Sequence, residues 1–430
     1  MSFVNVPAGS HFPIQNIPFG VISTASDATP RPATVIGDHA VDLRAVAEAG
    51  LFNGPLLKAV AKDVFSKPSL NAFMALGRPA WREARHTLQA LLAASGPVVD
   101  LRESQELQAK ILVPLAHVTN HLPAEIGDYT DFYASKEHAT NVGIMFRGKD
   151  NALMPNWVHI PVGYHGRSSS VVVSGTPLHR PCGQILNPAT KLPEFGASKK
   201  LDIELEMAFF VGTGNKLGDR ISVKDAEEHI FGVVVMNDWS ARDIQSYEYV
   251  PLGPFLGKNF GTTISPWIVT LDALEPFRVA QPHQDPAPVA YLQDPTQDKN
   301  TYDIKLEVDW KPRNHTEAHT IVKSNLKYMY WSFKQQLAHH TINGCNARTG
   351  DLCGTGTISG KDQSEFGSFL ELTWNGANPV NVKGETRTFL EDGDEIILRG
   401  YCEGLVDGQN VRIGFGEAAG AILPAKPFSG

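Results

Sequence analysis

The sequence predicts a protein that is mainly β with some α-helix, arranged in two units. The first observation is length, because 430 residues exceed what one hydrophobic core usually supports. The second is a series of short β-rich runs, bounded by Gly, Pro and Asp, that dominates the chain after about position 120. The third is a segment of helical apolar period before that position. We therefore expect an N-terminal unit over 1–120 and a larger unit over 121–430.

The N-terminal unit begins with a predicted hairpin. The stretch ATVIGDHAVDL alternates apolar residues around a Gly37-Asp38 turn, a pattern typical of two paired strands. A helix follows, predicted by apolar side chains that recur with its period: Trp81, Ala84, Leu88, Leu91 and Leu92. Another strand-like run, ILVPLAHV, precedes the boundary that we place near Asn120.

The second unit is predicted to be a series of strands with few helices. The β-rich runs are HGRSSSVVVSG, LDIELEMAFFV, FGVVVMND, YDIKLEVDW and DEIILRGY. Their spacing indicates a mixed β structure closed on itself. The proline-rich stretch from Pro276 to Pro295 is predicted to be a surface excursion, since strand patterns resume on both sides of it.

Composition narrows the function classes. Lys plus Arg number 38 and Asp plus Glu 46, a net charge of −8, which argues against nucleic-acid or anionic-membrane partners. We find no signal-peptide pattern and no run of 18 apolar residues, so we expect a cytoplasmic protein. Four cysteines without C-x-x-C spacing are expected to be reduced and mostly buried.

The run LDIELEMAFF carries acidic residues on one face of a predicted strand. Asp202, Glu204 and Glu206 alternate with apolar residues, so they should point to the same side. Neighbouring carboxylates about 7 Å apart repel each other by about 2 kcal/mol at an effective dielectric near 20. Either water offsets this repulsion on an exposed face, or the strand is buried and another group does so.

A second acidic position follows the apolar strand FGVVVMND. Asp238 and three later residues, Arg242, Gln245 and Tyr249, are separated by steps of 4, 3 and 4, which on one helix would form a single stripe. A solvated helical face is one interpretation. The other is a ligand site, because the stripe begins where a buried strand ends. Lys258 and Thr262 follow in a glycine-rich stretch that could bring an amine and a hydroxyl near the same point.

The stretch DYTDFYASKEHA, residues 128–139, gathers acidic, tyrosine and histidine side chains. Asp131, Glu204, Glu206 and Asp238 could form an all-oxygen cluster, which selects Mg²⁺ or Ca²⁺ over zinc or iron, although no single spacing proves it. His138 is better suited to proton transfer than to binding a hard cation, with a structural histidine as the alternative. Since no serine-nucleophile or dinucleotide motif is evident, chemistry here would rest on an activated water and a metal ion acting as Lewis acid.

Several stretches together resemble the fumarylacetoacetate hydrolase family: IGDYTDFYASKEHATNVGIMFR, PVGYHGRSSS, LDIELEMAFF, MNDWSARDIQSYEYVPLGPFLGKNFGTTISPW, GTISG and RIGFGEAAG. The similarity covers residue 120 to the C-terminus and is very specific, while the first 120 residues are more loosely similar to the family's N-terminal domain. The resemblance implies an N-terminal SH3-like β domain, a C-terminal mixed β-roll catalytic domain and a homodimer. At 405–409 we expect a different loop length.

The resemblance also implies roles for individual residues. The metal ligands, for Mg²⁺ or Ca²⁺, would be Asp131, Glu204, Glu206 and Asp238, with Lys258 and Thr262 nearby. The catalytic residues would be His138 as general base, Glu371 as its orienting partner, and Arg242, Gln245 and Lys258 as stabilisers of negative charge. The substrate-binding residues would be Tyr133, Arg147, Tyr164, Gln245, Tyr249 and Thr357. The stretch 128–139 would then supply a ligand, a substrate tyrosine and the base in a single turn of loop.

The implied reaction is hydrolysis of the C–C bond of 4-fumarylacetoacetate, a dicarboxylic diketone, to fumarate and acetoacetate in tyrosine and phenylalanine degradation. One alternative is a related metal-dependent acylpyruvate hydrolase or β-keto acid decarboxylase of the same fold. The His138–Glu371 pair discriminates, because a decarboxylase needs no base to activate water. A second alternative, from a different class, is a catalytically silent binding or scaffold module, which measurable turnover would exclude.

Overall fold

A computed structural model describes residues 1–406 and 408–428. The loop-length difference expected at 405–409 involves Asp407, which lies outside the described residues. Within the described part of the chain, no helix is both long and apolar enough to span a lipid bilayer.

The N-terminal unit is a five-stranded sheet covered by helices. The strands pair in the order β4-β3-β2-β1-β5, and the predicted hairpin is confirmed as β2 and β3. Its turn requires glycine, since Gly37 has φ of +57° and a Cβ there would lie 2.1 Å from the Asn5 carbonyl oxygen. The predicted helix is confirmed as α4. The elements are β1 (Phe19–Thr24), β2 (Arg31–Ile36), β3 (His39–Asp42), α1 (Leu43–Glu48), α2 (Ala61–Val64), α3 (Asn71–Met74), α4 (Arg78–Leu92), α5 (Asp100–Glu103), α6 (Gln105–Ile111), β4 (Leu112–Pro114) and β5 (Val118–His121).

The C-terminal unit is built mostly of strands. Its first elements are β6 (Tyr129–Phe132), α7 (Lys136–Arg147), β7 (Gly163–His165), β8 (Val171–Val173), β9 (Leu178–His179), β10 (Cys182–Leu186), β11 (Pro193–Ala197), β12 (Leu201–Asp202), β13 (Leu205–Val211), α8 (Ala226–His229), β14 (Ile230–Asp238), β15 (Ser240–Ala241), α9 (Arg242–Glu248), β16 (Thr262–Ile264), β17 (Val269–Thr270) and α10 (Leu271–Leu274). The remaining elements are β18 (Arg278–Val279), β19 (Thr301–Tyr302), β20 (Lys305–Lys311), β21 (His319–Asn325), α11 (Phe333–Thr341), β22 (Leu352–Gly354), α12 (Phe369–Leu372), β23 (Val380–Val382), β24 (Glu385–Arg387), β25 (Glu395–Val406) and β26 (Gln409–Leu423).

Two sheets enclose the core of the C-terminal unit. An eight-stranded sheet has the order β7-β6-β22-β13-β14-β16-β8, with β17 also paired to β14. A five-stranded sheet has the order β21-β20-β25-β26-β9. Met207 and Val235 of the first sheet share one buried core with Leu306 and Leu398 of the second. The predicted class, mainly β with some α and an N-terminal plus a C-terminal domain, is confirmed.

The N-terminal unit packs on the opposite face of β13 and β14. Alternate residues of β13 point to different cores: Phe209 lies in the core between the two sheets, whereas Phe210 lies in a second core shared with the N-terminal unit. The ring centroids of Trp81 and Phe231 lie 5.1 Å apart across this contact. The central strands are therefore buried on both faces, which explains their nearly continuous apolar runs.

Two local predictions were wrong in detail. The run LDIELEMAFF is not one strand, because β12 ends at Asp202 and β13 begins only at Leu205. The stripe that began at Asp238 is not a single helix either. Asp238 is the last residue of β14, and α9 begins at Arg242 after β15 has paired with β12. The boundary near Asn120 stays a prediction.

Candidate active site

Four carboxylates from three strands and one inter-strand link converge at one point. Asp131, Glu204, Glu206 and Asp238 each present an oxygen within 4.8 Å of the others, and all four side chains are buried. Asp131 lies on β6, Glu206 on β13 and Asp238 at the end of β14, while Glu204 lies between β12 and β13. The alternative of an acidic face exposed to water is therefore wrong for this cluster.

Strand order and one glycine explain how these carboxylates approach each other. β22 runs between β6 and β13, and its residue Gly354 is paired with Asp131. A Cβ at Gly354 would lie 2.8 Å from Asp131 Oδ1 and 3.1 Å from Glu206 Oε2. The missing side chain thus leaves space for carboxylates from strands on either side. The backbone N–H of Gly356 donates to both of these oxygens, at 3.1 and 3.0 Å.

Two buried cations partly balance the cluster. Lys258 Nζ contacts Glu204 Oε2 and lies 2.6 Å from Asp238 Oδ2, and Arg242 Nη1 lies 2.8 Å from Glu204 Oε1. Burial disfavours the ionised form of Glu204, but these two cations and His138 outweigh it and lower its pKa to about 2. Glu204 is accordingly the cluster member that the protein's own cations hold most firmly in the charged state.

The other members lack comparable compensation. Burial and the charges of neighbouring carboxylates raise the pKa of Asp131 and of Glu206 well above the ordinary values. Glu206 Oε1 has no hydrogen-bond partner within the described residues. Two cations facing four carboxylates leave excess negative charge, which a divalent cation would neutralise. The donor set, buried and made only of oxygen atoms, therefore fits a hard divalent ion.

A histidine–glutamate pair lies beside the cluster. His138 Nδ1 is 2.7 Å from Glu371 Oε2, and both side chains are buried. Glu371 also accepts hydrogen bonds from Asn141 at 2.9 Å, Ser359 at 3.0 Å and Ser368 at 2.8 Å. Burial opposes its ionisation, but its interaction with His138 and the hydrogen bonds from Asn141 and Ser368 lower the pKa of Glu371 overall. A carboxylate held in this way fixes the orientation of the imidazole.

The stretch 128–139 forms a strand, a turn and a helix, so the prediction of a single turn of loop was wrong. Asp131 ends up on β6 because its strand pairs with β22 and β7. Ser135 caps α7 by accepting from the His138 N–H, which places His138 in the first turn of the helix. The metal-ligand candidate and the histidine are therefore held by two regular elements joined through a short turn.

A cavity of about 400 Å³ opens onto the cluster. The candidates that line it are Asp131, Tyr133, His138, Arg147, Tyr164, Glu204, Arg242, Gln245, Tyr249, Lys258 and Thr357. The other four lie behind its wall: Glu206 and Asp238 within the cluster, Thr262 with its hydroxyl 3.2 Å from Asp238 Oδ1, and Glu371 behind His138. Every candidate is thus brought to one place. Tyr164 additionally donates to Asp238 Oδ2 at 2.9 Å.

Sequence reasoning missed several residues of the site. Val142 and Phe146 line the cavity one and two turns beyond His138 on α7, and spacing of four residues on a predicted helix would have found them. Leu370 also lines the cavity, and Asn141 holds Glu371 from behind. No local sequence pattern predicts the role of Asn141, since its hydrogen bond joins residues 230 positions apart.

A mainly β fold buries four converging carboxylates, which could hold a metal ion, beside a histidine oriented by a glutamate and next to a cavity; these are features of a hydrolytic enzyme that acts on a small molecule. The comparisons with known proteins are more specific. The fumarylacetoacetate (FAA) hydrolase C-terminal model matches residues 128–417, and the fumarylacetoacetase N-terminal model matches residues 15–123. The chain belongs to the fumarylacetoacetate hydrolase family.

Relatives match over the whole length. The chain is 58% identical over 426 residues to the fumarylacetoacetase of Homo sapiens, covering 99% of each. It is 57% identical over 430 residues to that of Bos taurus, covering 100% of each, and 55% identical over 426 residues to that of Arabidopsis thaliana, covering 99% of each. A solved fumarylacetoacetate hydrolase from Exiguobacterium antarcticum shares the fold, with a TM-score of 0.51 at 16% identity over 95% of this chain and 100% of that one.

Proposed function

We propose that this protein hydrolyses the C–C bond of 4-fumarylacetoacetate, giving fumarate and acetoacetate, as its fumarylacetoacetase relatives are named for doing. The observation that carries the proposal is the juxtaposition of a buried four-carboxylate cluster with the His138–Glu371 pair on one cavity. In the tyrosine and phenylalanine degradation that the family resemblance implies, this would be the last step.

The proposed roles follow from which atoms face the cavity. With Nδ1 held by Glu371, Nε2 of His138 is the ring nitrogen left to take a proton from a water molecule. The water oxygen attacks the carbonyl carbon as His138 takes its proton, the C–C bond breaks to leave fumarate and the acetoacetate carbanion, and the carbanion then receives the proton that His138 had taken. A Mg²⁺ or Ca²⁺ ion held by Asp131, Glu204, Glu206 and Asp238 would supply a Lewis acid at the carbonyl.

Cationic and amide side chains that line the cavity could stabilise the negative charge that develops as the C–C bond breaks. Arg242, Gln245 and Lys258 line the cavity together, and Gln245 Oε1 accepts from Arg242 Nη1 at 3.2 Å. Preorganised donors of this kind typically contribute about 3 kcal/mol each to lowering a barrier. The side chains that would hold the substrate are Tyr133, Arg147, Tyr164, Tyr249 and Thr357, together with Gln245, which would serve in both roles.

The direct test measures loss of fumarylacetoacetate absorbance beside decarboxylation of oxaloacetate. We expect turnover of the first substrate only. Oxaloacetate decarboxylation without fumarylacetoacetate cleavage would favour the alternative β-keto acid decarboxylase, and neither activity in metal-loaded protein would contradict the proposal. The histidine–glutamate pair favours hydrolysis, since decarboxylation requires no water-activating base.

We also propose that activity depends on a divalent metal ion, Mg²⁺ or Ca²⁺. Exhaustive chelation is expected to abolish turnover, and adding back either ion to restore it, because the buried carboxylates would otherwise repel each other and the carbonyl would not be polarised. Ion content can be measured by elemental analysis before and after chelation. Full activity in metal-free protein would contradict this assignment.

A homodimer in the cytoplasm completes the proposal. The segment 249–256 exposes a cluster of large apolar side chains next to the cavity mouth, a feature typical of an interaction surface. We assign this surface to a second copy of the chain, as the family resemblance implies. Four free cysteines accord with a reducing compartment such as the cytoplasm.

A further inference from the structure

The run LDIELEMAFF contains one acidic residue that the carboxylate cluster does not use. Asp202 is fully buried, and its two oxygens accept four hydrogen bonds. Oδ1 accepts from the backbone N–H of Ile203 at 2.7 Å and of Phe369 at 2.7 Å. Oδ2 accepts from Arg242 Nε at 2.8 Å and from the backbone N–H of Leu370 at 2.9 Å.

These bonds join the two halves of the proposed catalytic machinery. Arg242 is one of the cations that line the cavity, and its Nη1 lies 2.8 Å from Glu204 Oε1. Phe369 and Leu370 begin α12, whose third residue is Glu371, the partner of His138. Since Asp202 holds the first turn of α12 and the guanidinium at the same time, a single carboxylate sets the distance between the charge-stabilising side and the base side of the cavity.

We propose that Asp202 is a positioning residue that aligns Arg242 with the Glu371–His138 pair. The role rests on the proposed hydrolysis and adds to it a residue that touches no reacting atom. Holding reactive groups in productive geometry is where supporting hydrogen bonds contribute to rate, and loss of such a partner typically lowers activity by about 10–100-fold.

The chain provides a matched control for the test. Asp394 is also fully buried and also binds one arginine, with its Oδ2 3.0 Å from Arg387 Nε. It accepts from two backbone N–H groups, those of Arg313 at 3.1 Å and Glu391 at 2.9 Å, and from Arg387 Nη2 at 3.3 Å, so its two oxygens also accept four hydrogen bonds. Asp394 is not among the residues that line the cavity. Asp202→Asn and Asp394→Asn therefore remove comparable interactions at a site near the chemistry and a site away from it.

The experiment measures kcat, KM and thermal unfolding of both variants with fumarylacetoacetate. The asparagine side chain has only one oxygen that can accept hydrogen bonds, whereas the aspartate carboxylate has two. Both variants should therefore unfold at a lower temperature than the wild type. Asp202→Asn alone is expected to lower kcat by about 10–100-fold, with a smaller change in KM, because the alignment matters most in the transition state. Asp394→Asn should keep near-normal kcat.

A double-substitution cycle separates alignment from simple loss of stability. If Asp202 acts through Arg242, the effect of Asp202→Asn on kcat should shrink in an Arg242→Lys background. An unchanged kcat in folded Asp202→Asn, or an equal loss in Asp394→Asn, would overturn the inference.

A second variant covers the case in which Asp202→Asn does not fold. Asp202→Glu keeps the charge and displaces it by one methylene, and it is also expected to lower kcat. If neither variant folds while Asp394→Asn does, Asp202 serves folding and the inference is wrong. Wild-type protein without fumarylacetoacetate turnover would instead contradict the proposed function.

Discussion

At the scale of single residues, the site depends on the absence of a side chain at Gly354 and on the hydrogen bond between His138 and Glu371. The absent Cβ at Gly354 lets Asp131 and Glu206 share a space that a side chain would fill. The bond to Glu371 decides which nitrogen of His138 remains for a water molecule. Both effects act over less than 4 Å, so small substitutions should have large and separable consequences.

We predict that Gly354→Ala weakens the cluster. The new methyl carbon would lie 2.5 Å from Met236 Cε and 2.8 Å from Asp131 Oδ1, so the carboxylates must move apart. Overpacking of this kind typically costs about 1–3 kcal/mol in the free energy of unfolding. Calorimetric titration with Mg²⁺ or Ca²⁺ should also show weaker binding. Gly196→Ala is the control, since a Cβ there meets no atom within 4 Å; equal behaviour of the two variants would contradict the argument.

We predict that His138→Gln abolishes hydrolysis while the fold and metal binding remain intact. Glutamine can still bond to Glu371 but cannot accept the proton from water, and loss of a general base typically costs about 10²–10⁴-fold in rate. The measurements are fumarylacetoacetate turnover, thermal unfolding and metal content. A variant with near-normal turnover would show that another group is the base.

At the scale of elements, helices and strands place the candidate catalytic side chains near one end of the eight-stranded sheet. β6 and α7 bring Asp131 and His138 together through one capped turn. A different element, α4 of the N-terminal unit, is tied to the C-terminal unit by ion pairs: Arg78 Nη2 lies 2.9 Å from Asp272 Oδ1, and Arg82 Nη2 lies 2.8 Å from the same atom. This junction supports the strands that form the site.

We predict that Asp272→Asn destabilises the protein in a pH-dependent way. Burial opposes ionisation of Asp272, but hydrogen bonds from Arg82 and Arg78 lower its pKa in the folded state. A lowered folded-state pKa contributes stability that is present above the unfolded value of about 3.9 and is lost as pH falls through the folded value. At about pH 7 the variant should lose about 1–3 kcal/mol of unfolding free energy, and the difference should narrow below about pH 4.

Denaturant unfolding across this pH range measures the effect. The control is Asp63→Asn, which removes the exposed pair that Asp63 forms with Lys67 and should cost less than about 1 kcal/mol. A difference for Asp272→Asn that stays constant through the acidic range would contradict the linkage.

At the scale of the whole molecule, the two units bury the site strands from both sides. Ala208 and Phe210 of β13 pack into the core shared with the N-terminal unit, while Met207 and Phe209 pack between the two C-terminal sheets. The carboxylates at the end of β13 and β14 are consequently screened from water. Solvent reaches the site through the cavity mouth. Tyr249 lines the cavity there, and it is also the first residue of the exposed apolar segment 249–256.

We predict that Leu252→Glu converts the proposed dimer to a monomer. The Leu252 side chain is 96% exposed in the single chain, and Phe255 nearby is 67% exposed, so a charge placed there would have to be buried against a second copy. Light scattering after gel filtration measures the mass. Leu217→Glu is the control, because Leu217 is 80% exposed on a separate loop. A wild-type monomer, or a Leu252→Glu dimer, would rule out this surface.

The sequence by itself was sufficient for the class of fold and for the identity of the candidate side chains. Periodicity predicted the β2–β3 hairpin, α4 and the buried strand β14, because these depend on apolar spacing and turn residues within a short window. The similarity of several long stretches to one family indicated which side chains to expect at the site. All fifteen candidates lie in the cluster, on the cavity or directly behind its wall.

Only the tertiary structure decided how these side chains are held. A period of two predicted that Asp202 would point to the same strand face as Glu204 and Glu206, yet the strand breaks after Asp202, and its carboxylate accepts hydrogen bonds from Arg242 and from the start of α12. Likewise Asp238 ends a strand, because pairing of β12 with β15 delays the helix until Arg242. Local patterns report spacing along one element, whereas the partners of a buried charge come from segments distant in sequence and are fixed by burial, which requires every carboxylate to find donors.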